Sequence, residues 1–288
     1  MNAPDKPRGT LYVVATPLGN MEDITYRAVR TLSEVDLIAA EDTRRTGKLL
    51  GRYDIRNELV SCNEHNEEKR TGFLIEKLRA GQSVALVSDA GTPCVSDPGY
   101  VFVKEAVAAG IRVLPIPGCC AVTSGLSVAG LPTDSFLFAG FLPKKKGPRG
   151  RILENLANET ATLIFYESPN RIVKLTGDLL QLMGPRSAVL AREMTKLHEE
   201  YIRGDLGTLL DELENRDRIK GECVLFVGGK KEKEPKSACP EDLDEMIRQY
   251  LAREDCKPST ASKEIADRLS IPRNMVYQRF VALKRDRK

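Results

Sequence analysis

The strongest constraint in this chain is an alternation that runs from Leu11 to Ile116. Five apolar runs of strand length, Leu11–Ala15, Asp36–Ala40, the weaker Leu59–Val60, Val84–Val87 and Arg112–Ile116, are separated by helix-period segments. Ile24, Ala28, Val29, Leu32 and Val35 recur at helical spacing after the first run. A short helix through Leu49–Leu50, a polar helix from Asn63 to Arg79 and a helix from Tyr100 to Ala109 follow the next three. Strand and helix in strict alternation predict an α/β domain whose parallel sheet carries helices on both faces. In such sheets ligands collect at the carboxyl ends of the strands, so the residues found there are the site candidates.

The fourth run ends in Ser88-Asp89-Ala90-Gly91-Thr92-Pro93, where Gly91 can take a positive φ or let a ligand approach closely. Beyond it, Asp97 reads as a helix N-cap with Pro98 at the first helical position. Pro17-Leu18-Gly19 and Pro117–Ala121 are similar small-residue turns at other strand ends. No G-x-G-x-x-G or G-x-x-x-x-G-K-[ST] motif stands where a strand meets a helix. Backbone groups beside a carboxylate therefore suit a polar ligand other than a phosphate. Glu41-Asp42-Thr43-Arg44-Arg45 also closes a strand, setting two carboxylates beside two guanidinium groups, while plain helix capping by Asp42 is the simpler alternative.

Gly130-Leu131-Pro132 ends the small-residue helix that starts after Pro117-Gly118 and marks a boundary. The limits expected are a flexible segment 1–9, α/β domains over 10–130 and 131–229, a charged linker 230–240 and a helical module 241–288. In the second domain, strands Phe136–Phe141, Thr162–Tyr166, Ala188–Arg192, Glu200–Arg203 (antiparallel) and Cys223–Val227 alternate less regularly with helices Arg171–Met183 and Asp205–Glu214. A mixed sheet follows. Lys144, Lys145, Lys146 and Arg149 form a basic stretch that Gly147-Pro148 should keep as a loop. Tyr166–Arg171 and Arg192–Lys196 put further charges at strand ends, which suggests a cleft between the domains. The module holds helical patterns Glu241–Ala252, Ser259–Leu269 and Arg273–Lys284, the last two in helix-turn-helix outline.

With 44 basic and 41 acidic residues the net charge is +3, so a polyanionic partner would have to be met by local basic patches. Seven cysteines with no C-x-x-C pair predict reduced thiols in a cytoplasm. His65 and His198 lie far apart, which argues against a metal site. No apolar run approaches a membrane span, and the polar start of the chain lacks a signal region.

The segments Thr10–Asn20, Ala40–Arg44, Ser88–Pro93, Phe165–Pro169 and Ala191–Glu193, in that order, resemble the bacterial ribosomal RNA 2′-O-cytidine methyltransferases of the tetrapyrrole methylase superfamily. The resemblance spans about Thr10 to Gly229 and continues weakly into the tail. It implies two α/β domains with S-adenosylmethionine between them, a homodimer, and ribosomal RNA or the small ribosomal subunit as substrate. By position it assigns Leu18, then Asp89, Ala90, Gly91 and Thr92, then Cys120 and Ala121, Tyr166, and finally Gly221 and Glu222 to the cofactor. Many superfamily members carry Pro-Ser at Cys119-Cys120, so this chain offers backbone contacts there without the serine hydroxyl.

Methyl transfer to a ribose hydroxyl needs positioning and a group that handles the proton. Strand-end clustering proposes Asp42, Glu193 and Lys196 for the proton, and Arg44 and Arg45 for flanking phosphates. Lys144, Lys145, Lys146 and Arg149 would grip the RNA backbone, with Arg273, Arg279 and Lys284 of the last helix as a second contact. Two alternatives compete: a methylase of a porphyrin-like small molecule, and a non-enzymatic nucleic-acid-binding regulator built on the helical tail. The basic segments favour RNA over the first. Binding of S-adenosylmethionine separates the enzyme from the second.

Overall fold

The computed structural model describes residues 9–231, 240–251, 258–269 and 271–285. The flexible start and most of the linker fall on residues 1–8 and 232–239, outside the described residues. Gly9 is buried, and its N–H donates to the Leu78 carbonyl at 2.8 Å. The chain divides into two compact units, one ending at Lys230 and one beginning at Lys231.

The first unit holds two five-stranded sheets. The first comprises β1 (Thr10–Val14), β2 (Leu37–Ala40), β3 (Leu59–Ser61), β4 (Val84–Val87) and β5 (Arg112–Ile116) in the order β3-β2-β4-β1-β5. Every pairing in it is parallel. Helices α1 (Tyr26–Glu34) and α2 (Thr43–Arg52) cover one face, where Ala28, Leu32 and Leu50 meet Ala85 and Val87. Helices α3 (Glu67–Arg79) and α4 (Tyr100–Ala108) cover the other, where Leu74, Leu78 and Phe102 meet Val84 and Leu86. Right-handed crossovers impose this division, because the chain moves one way across the sheet through α1 and α2 and back through α3 and α4. As a result β4 lies between two strands whose helices leave on the opposite face from its own. Connections diverge there and a crevice opens at the carboxyl edge.

The second sheet contains β6 (Phe136–Phe141), β7 (Thr162–Glu167), β8 (Ser187–Arg192), β9 (Glu200–Asp205) and β10 (Cys223–Val227) in the order β6-β7-β10-β8-β9. β6 and β7 are parallel and the remaining pairs antiparallel, the mixed arrangement expected. Helices α6 (Lys146–Leu156), α7 (Ile172–Met183) and α8 (Leu206–Glu214) bury one face of this sheet. The other face is buried by α5 (Ala121–Ala129), through Val122, Leu126 and Ala129 against Ile164, Val189, Val224 and Phe226. A Cβ at Gly125 would stand 2.4 Å from Phe226 Cζ, so the absence of a side chain there sets how closely α5 approaches. This helix follows the first sheet in the chain but packs on the second.

Two local expectations are corrected. Gly147 and Pro148 do not break the chain: they lie in the first turn of α6, where backbone N–H groups have no intrahelical acceptor and proline removes nothing. Arg149 is then carried inward, 4% exposed, and its guanidinium pairs with Asp178 of α7 at 2.7 Å. It ties two helices together and is withdrawn from any RNA-facing surface. Nor does Asp97 cap α4. The N-cap is Gly99 at φ 122°, and a carboxylate from another helix replaces the missing cap: Glu67 Oε1 accepts from the Gly99 and Phe102 N–H groups, each at 3.1 Å.

The second unit packs α9 (Pro240–Leu251), α10 (Pro258–Leu269) and α11 (Arg273–Arg285) around Ile247, Ile265, Val276 and Phe280. Ala252, the end of the first helix expected in this module, lies outside the described residues. Arg279 forks onto Asp244 at 2.6 and 2.7 Å, and Arg273 donates to the Ser259 carbonyl at 3.1 Å. Two of the three cations assigned to phosphate contact are therefore engaged in holding the module. Among the described residues no helix is long and apolar enough to cross a membrane.

Because Glu67 is buried and serves two N–H groups, Glu67→Ala should lower unfolding free energy by about 1–3 kcal/mol. Glu67→Gln, which keeps one acceptor oxygen, should cost less. Urea midpoints at constant m-value measure both, and equal midpoints for all three proteins would remove the capping role.

Candidate active site

A cleft of about 420 Å³ opens where the carboxyl ends of the first sheet face loops of the second. Its first-sheet wall is built on a backbone bridge. Thr16 N–H donates to Gly91 O at 2.8 Å, and Gly91 N–H returns to Thr16 O at 3.0 Å. The Thr16 hydroxyl adds a bond to Ser88 O (3.1 Å), and the Thr92 hydroxyl holds Cys119 O (3.0 Å). Three strand-end loops are thus pinned to one another. Gly91 adopts φ 79°, and a Cβ there would stand 3.2 Å from Leu18 Cδ2. A side chain at this position is both strained and crowded.

Leu18, Asp89, Ala90, Gly91, Thr92, Cys120, Ala121, Tyr166, Gly221 and Glu222 all line the cleft. Glu41, noted from sequence as one of the two carboxylates that close a strand, Asp97, expected as a helix cap, and Phe141 line it as well. Glu41 Oε2 accepts from Asp89 N–H (3.0 Å), while Asp89 Oδ1 accepts from Asp42 N–H (3.1 Å). This exchange locks the ends of β2 and β4 together. Arg45 reaches Asp89 Oδ2 at 3.2 Å. Burial, aided by the Asp89 charge, raises the pKa of Glu41. Burial and the charge of Glu41 push Asp97 up to about 7, against an opposing hydrogen bond from Ser88. Five carboxyl groups, those of Glu41, Asp89, Asp97, Glu167 and Glu222, and a single guanidinium line the cleft, which favours a cationic ligand and disfavours a phosphate.

The opposite wall is partly aromatic. Tyr166 meets Phe138 and Phe141 edge to face, with ring centroids 4.8 and 5.6 Å apart. Burial raises the pKa of its hydroxyl, so the phenol stays neutral. Glu167, buried at the end of β7, accepts from Ser168 N–H (2.7 Å) and pairs with Arg171 (2.9 Å), which fixes the turn that closes this side.

The three residues assigned to the proton do not form one group. Asp42 caps α2: its Oδ1 accepts from Arg44 N–H (2.8 Å), and its two oxygens take the Arg44 guanidinium at 3.1 and 2.7 Å. That guanidinium holds the Asp42 carboxyl well below the usual range, so capping and ion pairing occupy it fully. Its geometry is that of the simpler capping alternative. Glu193 and Lys196 do meet. Lys196 Nζ stands 2.9 Å from Glu193 Oε1 and 3.1 Å from Glu222 Oε2. Burial opposes both charges, but the Glu222 N–H and the ammonium outweigh it at Glu193, whose pKa falls. At Lys196 the two carboxylates likewise outweigh burial, and its pKa rises. Glu193 and Thr195 hold left-handed φ values of 51° and 65°, a loop kept against backbone preference. The Lys196 stem crosses to the first sheet, where a Cβ at Gly19 would lie 2.3 Å from its Cγ. Arg44, Arg45, Lys144, Lys145 and Lys146 are exposed.

Residues 10–210 match the family model described as Tetrapyrrole (Corrin/Porphyrin) Methylases. The chain is 46% identical over 273 residues to ribosomal RNA small subunit methyltransferase I of Halalkalibacterium halodurans, covering 94% of each protein. It is 44% identical to the protein of the same name from Synechocystis, covering 96% of this chain and 99% of that one. Among solved structures it resembles uroporphyrin-III C-methyltransferase from Thermus thermophilus complexed with S-adenosylhomocysteine, at TM-score 0.54 and 22% identity. That likeness covers 76% of this chain and 97% of the other, and shows a shared fold.

Asp97 gives the fold a pH signature. Between the ordinary carboxylate range and pH 7 the folded state keeps a proton that the unfolded chain has released. The stability this confers is complete at low pH and is lost as pH rises through about 7. Asp97→Asn should therefore match the parent in Tm below the ordinary carboxyl value of 3.8, exceed it increasingly up to about pH 7, and keep a constant margin above that. Parallel Tm curves between those two values would contradict the raised pKa.

Proposed function

The chain belongs to the tetrapyrrole (corrin/porphyrin) methylase family, and from that premise we propose that it methylates the 2′-hydroxyl of a cytidine in small-subunit (16S) ribosomal RNA, with S-adenosylmethionine as donor. The observation that carries the choice of substrate is the match, over 94–96% of this chain, to relatives named ribosomal RNA small subunit methyltransferases. A porphyrin-like substrate has no comparable support at that identity.

The cleft suits the donor. Glu41, Asp89, Asp97 and Glu222 favour a ligand with positive charge, and the side-chain-free Gly91 leaves room for close approach. Asp89, Gly91 and Thr92 would hold it along the pinned loop, and Leu18, Ala121 and Tyr166 would bury it. When bound, the donor supplies a sulfonium methyl group activated for in-line displacement. The protein supplies position, a contribution of up to about 7–11 kcal/mol in well-aligned sites. It also supplies the Lys196–Glu193 pair: the Glu193 carboxylate would take the hydroxyl proton while the Lys196 ammonium offsets the negative charge that develops at the ribose oxygen. Such assistance contributes about 10²–10⁴-fold.

Arg44, Arg45, Lys144, Lys145 and Lys146 would grip the RNA backbone. The family resemblance supports a homodimer, which sedimentation would measure. Five free cysteines among the described residues suit a reducing compartment such as the cytoplasm.

Lys196→Ala and Glu193→Ala should each lower kcat by about 10²–10⁴-fold while S-adenosylmethionine affinity, measured by titration, is retained. Asp42→Ala should lower stability modestly as a lost cap, with little change in kcat. Gly91→Val should abolish cofactor binding. Wild-type turnover in both the Lys196 and the Glu193 variants would remove the catalytic assignment.

Neutralising Lys144, Lys145 and Lys146 together should reduce the salt slope of RNA binding by about 2–3. The rate at saturating RNA should change far less, because phosphate grip is largely uniform binding. An unaltered slope leaves the start of α6 without an RNA role.

A further inference from the structure

Beside the cleft lies a second cavity of about 200 Å³, between the β1–α1 connection, α2 and the end of β4. Its position follows from topology, since the connections after β1 and β2 turn to one face and that after β4 to the other. Met21, Lys48 and Leu49 line this cavity alone, whereas Leu18, Arg45 and Asp89 line both it and the cleft.

We propose that this second cavity receives the base of the nucleotide being methylated, turned out of its RNA strand, with the ribose at the shared wall of Leu18, Arg45 and Asp89. The inference rests on the RNA methylation proposed above and adds where the target nucleoside is held. A ribose hydroxyl can take a methyl group only if the sugar stands at the border of the donor's site. The base bonded to that sugar then needs an adjoining space, and this cavity adjoins the cleft along that border.

Its chemistry suits a nucleobase. Leu18, Met21 and Leu49 offer apolar surface to a flat ring, while Asp89 and Arg45, 3.2 Å apart, offer an acceptor and a donor to its polar edge. Enzymes that do chemistry on a base extrude it into such a pocket. Here the same movement would bring the ribose of that nucleotide to the donor. The mouth is cationic: Arg44 and Lys48 lie one turn apart on α2, both exposed, where the flanking phosphates would run. Lys196 reaches the same place, for its stem lies against Gly19, which also lines the cavity. Gly19 is thus the point at which the Lys196 stem meets the cavity.

Met21→Trp tests the proposal, because Met21 is 40% exposed at the rim and can enlarge without entering the core. The expected result is S-adenosylhomocysteine affinity within about twofold of the parent, and kcat/KM for small-subunit RNA lowered at least about tenfold. Lys48→Glu should raise KM for RNA about tenfold with kcat nearly kept. In the wild-type protein saturated with S-adenosylhomocysteine, millimolar cytidine 5′-monophosphate should shift the amide resonances of Met21, Lys48 and Leu49, and Met21→Trp should abolish the shifts.

Undiminished RNA methylation by Met21→Trp would overturn the inference while leaving the proposed function intact. Loss of S-adenosylhomocysteine affinity in that variant would also overturn it, since the cavity would then belong to the donor's site. So would wild-type amides that the nucleotide leaves unmoved. A wild-type protein inactive on every small-subunit RNA would instead sink the proposed function, and nucleotide-induced shifts at the three amides would still uphold the cavity as a nucleoside site.

Discussion

The position of β4 is the constraint on which the remaining features of the first sheet depend. Its four residues are essentially without exposure, with Ala85 and Val87 facing one helical layer and Val84 and Leu86 the other. A strand buried on both faces reads as a continuous apolar run, and it can be extended only beyond its carboxyl end. There the chain must leave on the face opposite to the helices of both neighbouring strands. The Thr16–Gly91 backbone bridge closes the gap this creates, and it holds because Gly91 tolerates φ 79°. Cleft and side cavity are the two spaces left on either side of that join.

The second sheet completes the cleft by reaching across. α5 is held to it through Gly125 against Phe226, so Cys120 and Ala121 at the start of α5 are fixed by both halves of the unit. Lys196 does the reverse, leaving the end of β8 to lie on Gly19 beside β1. Each half therefore lends residues to the other, and the strained loop at Glu193 and Thr195 is what lets the Lys196 stem cross. Backbone strain confined to such a place is compatible with a working site.

What was legible in the sequence was whatever is decided within a few residues. The apolar runs, the small-residue turns that end them and the helix periodicities each follow from local sterics and burial, whereas the ten cleft residues came from the family resemblance that those segments carry. What escaped was decided by partners far along the chain. Asp97-Pro98 fits the rule for a helix start, but the cap comes from Glu67, 32 residues before Gly99, and Asp97 is left to face the cleft. Lys144–Arg149 has the composition of a loop, yet Asp178 draws Arg149 inward and a helix forms over the proline. Asp42 offered a base or a cap from sequence, and the neighbouring guanidinium decides for the cap. Nothing local distinguishes the first two outcomes, whereas the third is decided by Arg44, two residues from Asp42.

The charges of the site are sorted by depth, and that sorting bears on how one protein can hold a cation and a polyanion side by side. Carboxylates of Glu41, Asp89 and Asp97 line the cleft, where burial strengthens their fields and raises the pKa of the first and last. Guanidinium and ammonium groups of Arg44 and Lys48 stand on the exposed surface of α2 outside it. A phosphate chain is attracted to that rim and repelled from the interior, so it is stopped at the mouth. A cationic ligand meets the opposite gradient and is drawn in. Arg45 stands where the two regions meet, paired to Asp89 yet two-thirds exposed, so it can face a phosphate or a base without leaving a buried charge unpaired. The change of sign between the cleft and the exposed face of α2 thus separates the two ligands.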